Sequence, residues 1–333
     1  MKIAILNPTF SKFSGIDRLI EQNLKTFKEQ GHEVTVFCFE KDIDTNLAEV
    51  VTLGMPSSVF MQRIYRLFYF LFPWKVNNAV NQLKDFDKVI AHLYPMTIIA
   101  SKAKKKFNLK YTYHDAGVAH PNLFRKLSER IYLKLFTRFS DKSIANADEL
   151  IFISDFLRKE MNKRTGQTGT VEYVPIDKER FKPDINGKNI KEKHNLTSPV
   201  LLYVGRISPH KNIHGLLEAF KIIKNKHKNS TLVIIGKQTF PDYTKELKAI
   251  TKESVIFTGF VPDKLLPYYY AASDLYVTAS LWEGFDIPIV EANTMNKKAV
   301  CFDIGSHKEV LKKGTLVTTL TPEALAEGIE KEL

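Results

Sequence analysis

Leu275-Tyr-Val-Thr-Ala-Ser280-Leu-Trp-Glu283-Gly-Phe-Asp-Ile-Pro288-Ile-Val-Glu291-Ala292 reads in order as a strand, a short loop and a helix. Leu275 to Ser280 is an apolar run. Pro288 suits the first turn of a helix, because its missing N–H would be unpaired there anyway. The free N–H groups of such a helix start face the loop. At the carboxyl end of a strand in an open α/β sheet they form an anion site suited to the phosphates of a nucleotide. A carboxylate aimed at phosphate would be repelled. Glu283 and Glu291 are therefore better used on hydroxyls, which a nucleotide sugar offers on its ribose and on its transferable ring. Taken alone, two glutamates near a helix start are also what the helix dipole favours on a solvated surface.

A second loop upstream shifts the balance. Val200 to Val204 reads as a buried strand, and Gly205-Arg206-Ile-Ser-Pro-His-Lys211-Asn212 runs from it into the amphipathic segment 213–228. Gly205 has no Cβ, so a ligand can approach the backbone closely. Arg206 can meet a diphosphate as a fork and Lys211 as a point charge.

With these residues in place, the chain resembles the retaining glycosyltransferases of family 4, which carry an E-x7-E motif and two Rossmann-like domains in the GT-B arrangement. The similarity continues in Ser14-Gly15-Ile16-Asp17, Gln30-Gly31-His32-Glu33-Val34, Tyr113-His114-Asp115, Ala147-Asp148 to Ser154, and Val174-Pro175 to Phe181-Lys182-Pro183. The resemblance implies that Glu283 lies near the donor sugar, that Glu291 holds the ribose and that Arg206 and Lys211 bind the diphosphate. It also implies that His114 contacts and aligns the donor sugar, with His120 and His92 as weaker candidates. Gly15 would let the first loop approach the donor phosphate. Gly284, Phe285, Asp286 and Ile287 would supply donor contacts. Gly236-Lys237 and Gly259-Phe260-Val261 close strands and are placed to contact the base. Ser154 is expected simply to cap the helix that follows it.

The chain departs from the family pattern at three places. Only one glycine, Gly15, stands where two are common; Asp286 stands where a glycine is common; Asn296-Lys297-Lys298 replaces Gly-x-Pro. Asp286 would then have to accept whatever backbone angles a glycine takes. Family members also generally continue with a segment that crosses back onto the first domain, and this segment is expected to be missing here.

The 333 residues suffice for two domains with their own cores. Cys38 and Cys301 both sit in apolar strand-like runs and read as buried, inert thiols, with nothing implying an oxidising compartment. The apolar stretch Ile3 to Leu6 stops at Asn7-Pro8 and reads as a first strand rather than a secretory signal. Location is accordingly expected to be cytoplasmic, peripheral on the inner face of the cell membrane.

That last expectation comes from residues 59–75. They combine seven aromatic side chains with three cations and no acid, as in a helix lying in a membrane interface. Between residues 45 and 140 there are 15 Lys plus Arg against 5 acids, out of a formal net charge of +12 for the chain. A basic face beside an aromatic helix suits an anionic lipid surface better than nucleic acid. A buried aromatic core helix with scattered surface lysines accounts for the same residues.

Alternating patterns predict an α/β fold in two domains, and the resemblance implies that both are doubly wound and Rossmann-like and face a cleft in the GT-B arrangement. The N-terminal domain, on the acceptor side, covers 1–180, and the C-terminal nucleotide-sugar-binding domain covers 199–333, with a polar linker at about 181–198. Strands are expected near 2–7, 34–39, 88–93, 110–114, 149–153 and 171–175. In the second domain they are expected near 200–204, 231–235, 255–258, 274–279, 299–302 and 315–318. Helices are expected at 16–29 and 122–140.

The expected activity is transfer of a glycosyl unit from a nucleoside diphosphate sugar to an acceptor hydroxyl, with the anomeric configuration kept as the resemblance implies. The acceptor is a glycan or a lipid. No cofactor and no metal is expected, since Arg206 and Lys211 can neutralise the departing diphosphate themselves. Asp42-Ile-Asp44 and Asp85-Phe-Asp87 read as turn residues rather than metal-binding pairs. Three other functions were weighed. A nucleotide-sugar 2-epimerase of the same fold would release free nucleotide without an acceptor. A nucleic-acid-binding protein would use the basic face, but no RNP-type or zinc-finger spacing is present. A dehydrogenase needs G-x-G-x-x-G after the first strand, and Asn7 to Gly15 lacks it.

Overall fold

The computed structural model describes residues 1–11, 15–124, 126–238, 240–251 and 254–333, with Gly15 and Val59 described by their backbone only. Ser14 therefore lies outside the described residues. The chain divides into two compact units, Met1–Pro121 with Lys126–Tyr173 and Asn122–Arg125 with Val174–Leu333.

The first unit is built on a seven-stranded sheet of β1 Lys2–Leu6, β2 Glu33–Cys38, β3 Glu49–Thr52, β4 Lys88–Ala91, β5 Lys110–Asp115, β6 Glu149–Phe152 and β7 Thr170–Val171. All pairings are parallel, in the order β3-β2-β1-β4-β5-β6-β7. The second unit carries β8 Val200–Val204, β9 Thr231–Ile235, β10 Val255–Gly259, β11 Leu275–Thr278, β12 Lys298–Phe302 and β13 Gly314–Val317. Their order is β10-β9-β8-β11-β12-β13, again parallel.

Both sheets thus repeat the doubly wound order 3-2-1-4-5-6 of the Rossmann fold. Parallel strands joined by helices on both faces are buried on both sides and lose the polar alternation of a half-exposed strand. β8 obeys this: Leu201 and Tyr203 enter one core with the helices Ile213–Lys226 and Pro322–Glu332, while Val200, Leu202 and Val204 enter the other. Cys38 and Cys301 are free and buried, as expected.

Three expectations are corrected. Glu49–Thr52 was not anticipated as a strand, because its half-exposed edge position carries only four residues and no strong apolar run. The helix expected at 122–140 runs instead over Leu127–Ile144, preceded by a 3-10 turn at Pro121–Leu123. The expected linker at 181–198 packs on the second unit: Phe181 and Ile190 are buried there, and Ile185 and Leu196 lie against the same core. The polar composition of that stretch belongs to the other side of a segment whose few apolar residues are all turned inward.

Residues 59–75 are not one helix. Helix Val59–Leu67 gives way to a 3-10 turn, Tyr69–Leu71, and a second helix, Pro73–Asn81. The break falls at Phe72, whose φ of −109° and ψ of 67° are non-helical, as the residue before a proline prefers. Tyr65, Leu67 and Tyr69 are buried. Tyr65 and Tyr69 stack edge-on against Phe39, and the Tyr94 hydroxyl donates to the Leu67 carbonyl at 2.6 Å. The outward side is different: Phe60, Leu71 and Trp74 are 69%, 59% and 64% exposed. Leu127 and Ile131 of the neighbouring helix are exposed too, and Arg63 pairs with Glu129 across it. The inward side of this stretch is thus that of an aromatic core segment, and its outward side is an exposed apolar face. Among the described residues no helix is long and apolar enough to cross a membrane.

Candidate functional site

The winding of the second sheet reverses between β8 and β11, and ligands of doubly wound sheets bind beyond the carboxyl ends of the strands at that point. The two loops read from the sequence, 205–212 after β8 and 279–286 after β11, both leave the sheet there. They are stitched to each other and to the next strand ends. Leu281 N donates to His210 O at 2.9 Å, Ile207 N to Lys237 O at 3.0 Å and Gly236 N to Gly259 O at 2.9 Å. Gly236 lies so close to the β8 loop that a Cβ would sit 1.8 Å from the Gly205 carbonyl oxygen. No other residue fits there without moving one of the two strand ends.

Lys211 and Glu283 come together across these loops as a directly hydrogen-bonded ion pair, the lysine largely shielded and the glutamate buried. Lys211, expected to face a diphosphate, is thus held by the acid in this structure, because a carboxylate 5% exposed needs a counter-charge. Arg206, by contrast, is exposed, and among the described residues no carboxylate pairs with it. Burial and the neighbouring Lys211 push His210 down to about 3, so this residue between the two cations adds no charge.

Helix Ile287–Thr294 starts where Pro288 predicted. Asp286 is its N-terminal flanking residue with φ −89° and ψ 85°, so the aspartate is not forced into glycine-only angles. Its carboxylate caps nothing; it lies buried, 3.2 Å from His307 Nε2. Gly284 is buried, Ile287 is a core side chain, and Phe285 packs against the second core. Glu291 is 1% exposed and accepts a 2.7 Å hydrogen bond from the Tyr270 hydroxyl. At the base-contact positions, Val261 is buried, Phe260 is 44% exposed and Gly259 takes φ +72°.

Ligand-type atoms of Glu283, Asp286 and His307 all lie within 4.8 Å of one another. A cation there would have to displace the proton His307 shares with Asp286 and compete with Lys211 for Glu283. Of the Asp-x-Asp pairs, Asp44 is bound to Lys41, three residues back, at 2.7 Å, whereas Asp87 accepts from the Lys2 backbone at 2.7 Å and so ties the starts of β4 and β1 rather than closing a turn.

In the first unit, Gly15 opens helix Gly15–Glu29 after β1, at the corresponding reversal of the winding. His114 is the last but one residue of β5 and packs on His92, which follows β4, with ring centroids 5.2 Å apart. Both are buried, and three of their four ring nitrogens, both of His92 and Nε2 of His114, have no hydrogen-bond partner among the described residues. Burial pushes His114 down to about 4 and His92 well below the usual range, so both are neutral imidazoles. His120 lies outside this pair, in the exposed stretch before Pro121. Ser154 caps its helix through Leu157 N at 3.2 Å, as expected.

Sequence reasoning missed Tyr270 and His307. Nothing in its local pattern separates Tyr270 from its neighbours Tyr268 and Tyr269. His307 was signalled indirectly: a buried aspartate at position 286 demands a cationic or hydrogen-bonding partner.

The model for Glycosyltransferase Family 4 matches residues 13–180, and that for Glycosyl transferases group 1 matches residues 185–333. The chain belongs to glycosyltransferase family 4. It is similar to O-antigen chain mannosyltransferase B of Escherichia coli, 29% identical over 221 residues covering 62% of this chain and 56% of that protein. It is also similar to alpha-D-kanosaminyltransferase of Streptomyces kanamyceticus, 25% identical over 64% of this chain and 58% of that one. The chain thus spans little more than half the length of these relatives. Among solved structures, sucrose-phosphate synthase from Thermosynechococcus elongatus superposes with a TM-score of 0.83 at 16% identity, covering 99% of this chain and 89% of that one. Anabaena HepE in complex with UDP and glucose gives 0.78 at 22% identity, with the same coverage. The fold is that of the GT-B glycosyltransferases, two Rossmann-like parallel α/β units.

Proposed function

We propose that this protein transfers a sugar from a nucleoside diphosphate sugar to an acceptor hydroxyl, with retention of configuration and without a metal ion. The observation that carries the reading is the convergence of Arg206, Lys211, Glu283 and the start of the 287–294 helix at the strand ends where the winding of the second sheet reverses. That HepE was crystallised with UDP and glucose supports a nucleotide-sugar donor.

Arg206 takes the diphosphate first, being exposed. Lys211 leaves Glu283 for the leaving-group oxygens, and the amides of 284–287 complete the anion site of the second unit. Glu283, freed from the lysine, orients hydroxyls of the sugar as positive charge grows on its anomeric carbon. For the first unit, the motif resemblance carries the proposal that Gly15 contacts the donor phosphate and His114, a neutral imidazole, contacts the donor sugar. Glu291 holds the ribose, and Gly236, Phe260 and Val261 contact the base. Two cations at the diphosphate supply the charge stabilisation that a divalent ion supplies elsewhere. Retention is proposed from the motif resemblance. The acceptor is proposed to be a glycan or lipid-linked glycan at an anionic membrane face, reached through the exposed Phe60, Leu71 and Trp74.

The test is incubation of the protein with isotopically labelled sugar nucleotides and glycolipid acceptors, followed by mass and anomeric analysis of the product. A labelled glycoside with the donor's anomeric configuration is expected. Release of free nucleotide with an epimerised sugar and no acceptor product contradicts the reading. Lys211→Ala is expected to lower turnover by on the order of 10² to 10³, the loss typical of one leaving-group donor, and wild-type-like turnover would refute the assigned role.

A further inference from the structure

His307 has no solvent exposure. Its Nδ1 lies 2.6 Å from the Phe302 carbonyl oxygen, which can only accept, so that nitrogen carries a proton. Its Nε2 lies 3.2 Å from Asp286 Oδ2, and a carboxylate there also accepts. With Asp286 ionised, both ring nitrogens donate and the ring is an imidazolium. Burial pulls the imidazole down, yet the Asp286 hydrogen bond, the Cys301 contact and the Asp286 charge together hold it well above the ordinary histidine range.

The residues just before it grip the other end of the same loop. Ser306 N donates to the Glu283 carbonyl at 3.2 Å. Gly305, at φ +53°, lies under that carbonyl so closely that a Cβ would be 2.3 Å from the oxygen. Three consecutive residues thus fix the 283–286 loop at its first and last members.

The charges around the loop are two acids, Glu283 and Asp286, and two cations, Lys211 and His307. The other titratable groups facing His307 and Asp286 are neutral: the Cys301 thiol and the Tyr203 and Tyr276 phenols are all pushed up by burial. On its own helix, Lys308 is turned outward to Asp303. When a diphosphate draws Lys211 away, Glu283 stays buried and would lose the one cation paired with it among the described residues, an outcome that costs heavily in a shielded site. A ring nitrogen of His307 lies within 4.8 Å of a carboxylate oxygen of Glu283.

We infer that His307 is a positioning residue of the donor site: its imidazolium fixes the 283–287 loop through Asp286 and stays beside Glu283 as counter-charge once Lys211 has moved to the diphosphate. This rests on the reading of that loop as the donor loop given above. Because Asp286 is buried with His307, the aspartate that replaces a common glycine and this histidine act as one unit.

The test uses the full chain, with His307→Gln and Asp286→Asn. Imidazole NMR of the histidine-labelled wild type at about pH 8 is expected to show His307 doubly protonated, and a neutral ring there overturns the proposal. Affinity for UDP, GDP or ADP, whichever the wild type binds, is then measured by calorimetry from about pH 6 to 10. The imidazolium is present below its raised folded-state pKa and lost as pH rises through it, so wild-type affinity falls on the alkaline side. His307→Gln is expected to bind on the order of tenfold more weakly and to lose that alkaline fall. Asp286→Asn moves the fall toward neutral pH. A His307→Gln protein with wild-type affinity and an unchanged alkaline limb overturns the proposal. Thermal unfolding checks both variants; should His307→Gln not fold, the NMR titration and Asp286→Asn decide. If the wild type binds no nucleotide, the donor-site reading fails, while the NMR result still judges the imidazolium anchor.

Discussion

Glu291 illustrates how a single side chain is prepared for its role. It is buried, and the Tyr270 hydroxyl, itself braced by an edge-on Phe181 ring 5.9 Å away, fixes one carboxylate oxygen. Under the proposed function, a carboxylate held in this way would meet a ribose hydroxyl without first having to be oriented. Tyr270→Phe removes one hydrogen bond to a charged group. It is expected to weaken nucleoside diphosphate affinity by about three- to tenfold while leaving kcat nearly unchanged. The loss should vanish when the ribose hydroxyls are absent, so calorimetry with a 2′,3′-dideoxynucleotide is the control. An equal loss with both nucleotides would assign Tyr270 to the core instead. Glu283 is held by Lys211 in the same way, and under the proposed function that lysine is the cation it would give up to the diphosphate.

At the scale of elements, the sheet order places the two functional loops side by side, and the strand sequences already carry that order. β8 and β11 are continuous apolar runs buried on both faces, so their positions were legible from composition alone. The loop residues Arg206, Lys211, Glu283 and Glu291 were legible as charged groups at strand ends. Their actual pairing was not, since Lys211 and Glu283 are 72 residues apart and meet only because β8 and β11 are neighbours. Tyr270 and His307 were hidden for the same reason: each acts on a residue of a different element. The 59–75 region shows the opposite failure. Its aromatic content was plain, but period and composition could not assign Tyr65 and Tyr69 to the core and Phe60 and Trp74 to the surface. With that division known, Phe60→Ser, Leu71→Ser and Trp74→Ser combined are expected to abolish sedimentation with anionic vesicles while leaving thermal unfolding close to wild type. Binding that survives in the triple variant removes the membrane from the account.

For the whole molecule, buried histidines dominate the mildly acidic response. His114, His210 and His92 all have depressed folded-state values, the first two at about 4 and about 3, with burial the leading cause in each. A depressed histidine makes the folded state bind fewer protons than the unfolded one between its folded value and about 6.5. Stability present above about pH 6.5 is therefore lost as pH falls toward 4. Carboxylates such as Glu149, held down to about 2 chiefly by its Lys110 hydrogen bond, lose their contribution only at lower pH. Urea midpoints at pH 7.0, 5.5 and 4.5 are expected to decline steadily, with a shallower decline in His114→Asn. A flat midpoint across that range would contradict the neutral, buried assignment.

The central claim is that the β8 and β11 loops of the second unit hold a nucleoside diphosphate. A crystal structure with the tightest-binding of UDP, GDP and ADP tests it most directly. The account predicts pyrophosphate oxygens within hydrogen-bond distance of Arg206 and Lys211, the ribose on Glu291, and Lys211 released from Glu283. A nucleotide bound elsewhere, with the Lys211–Glu283 pair intact, would contradict it.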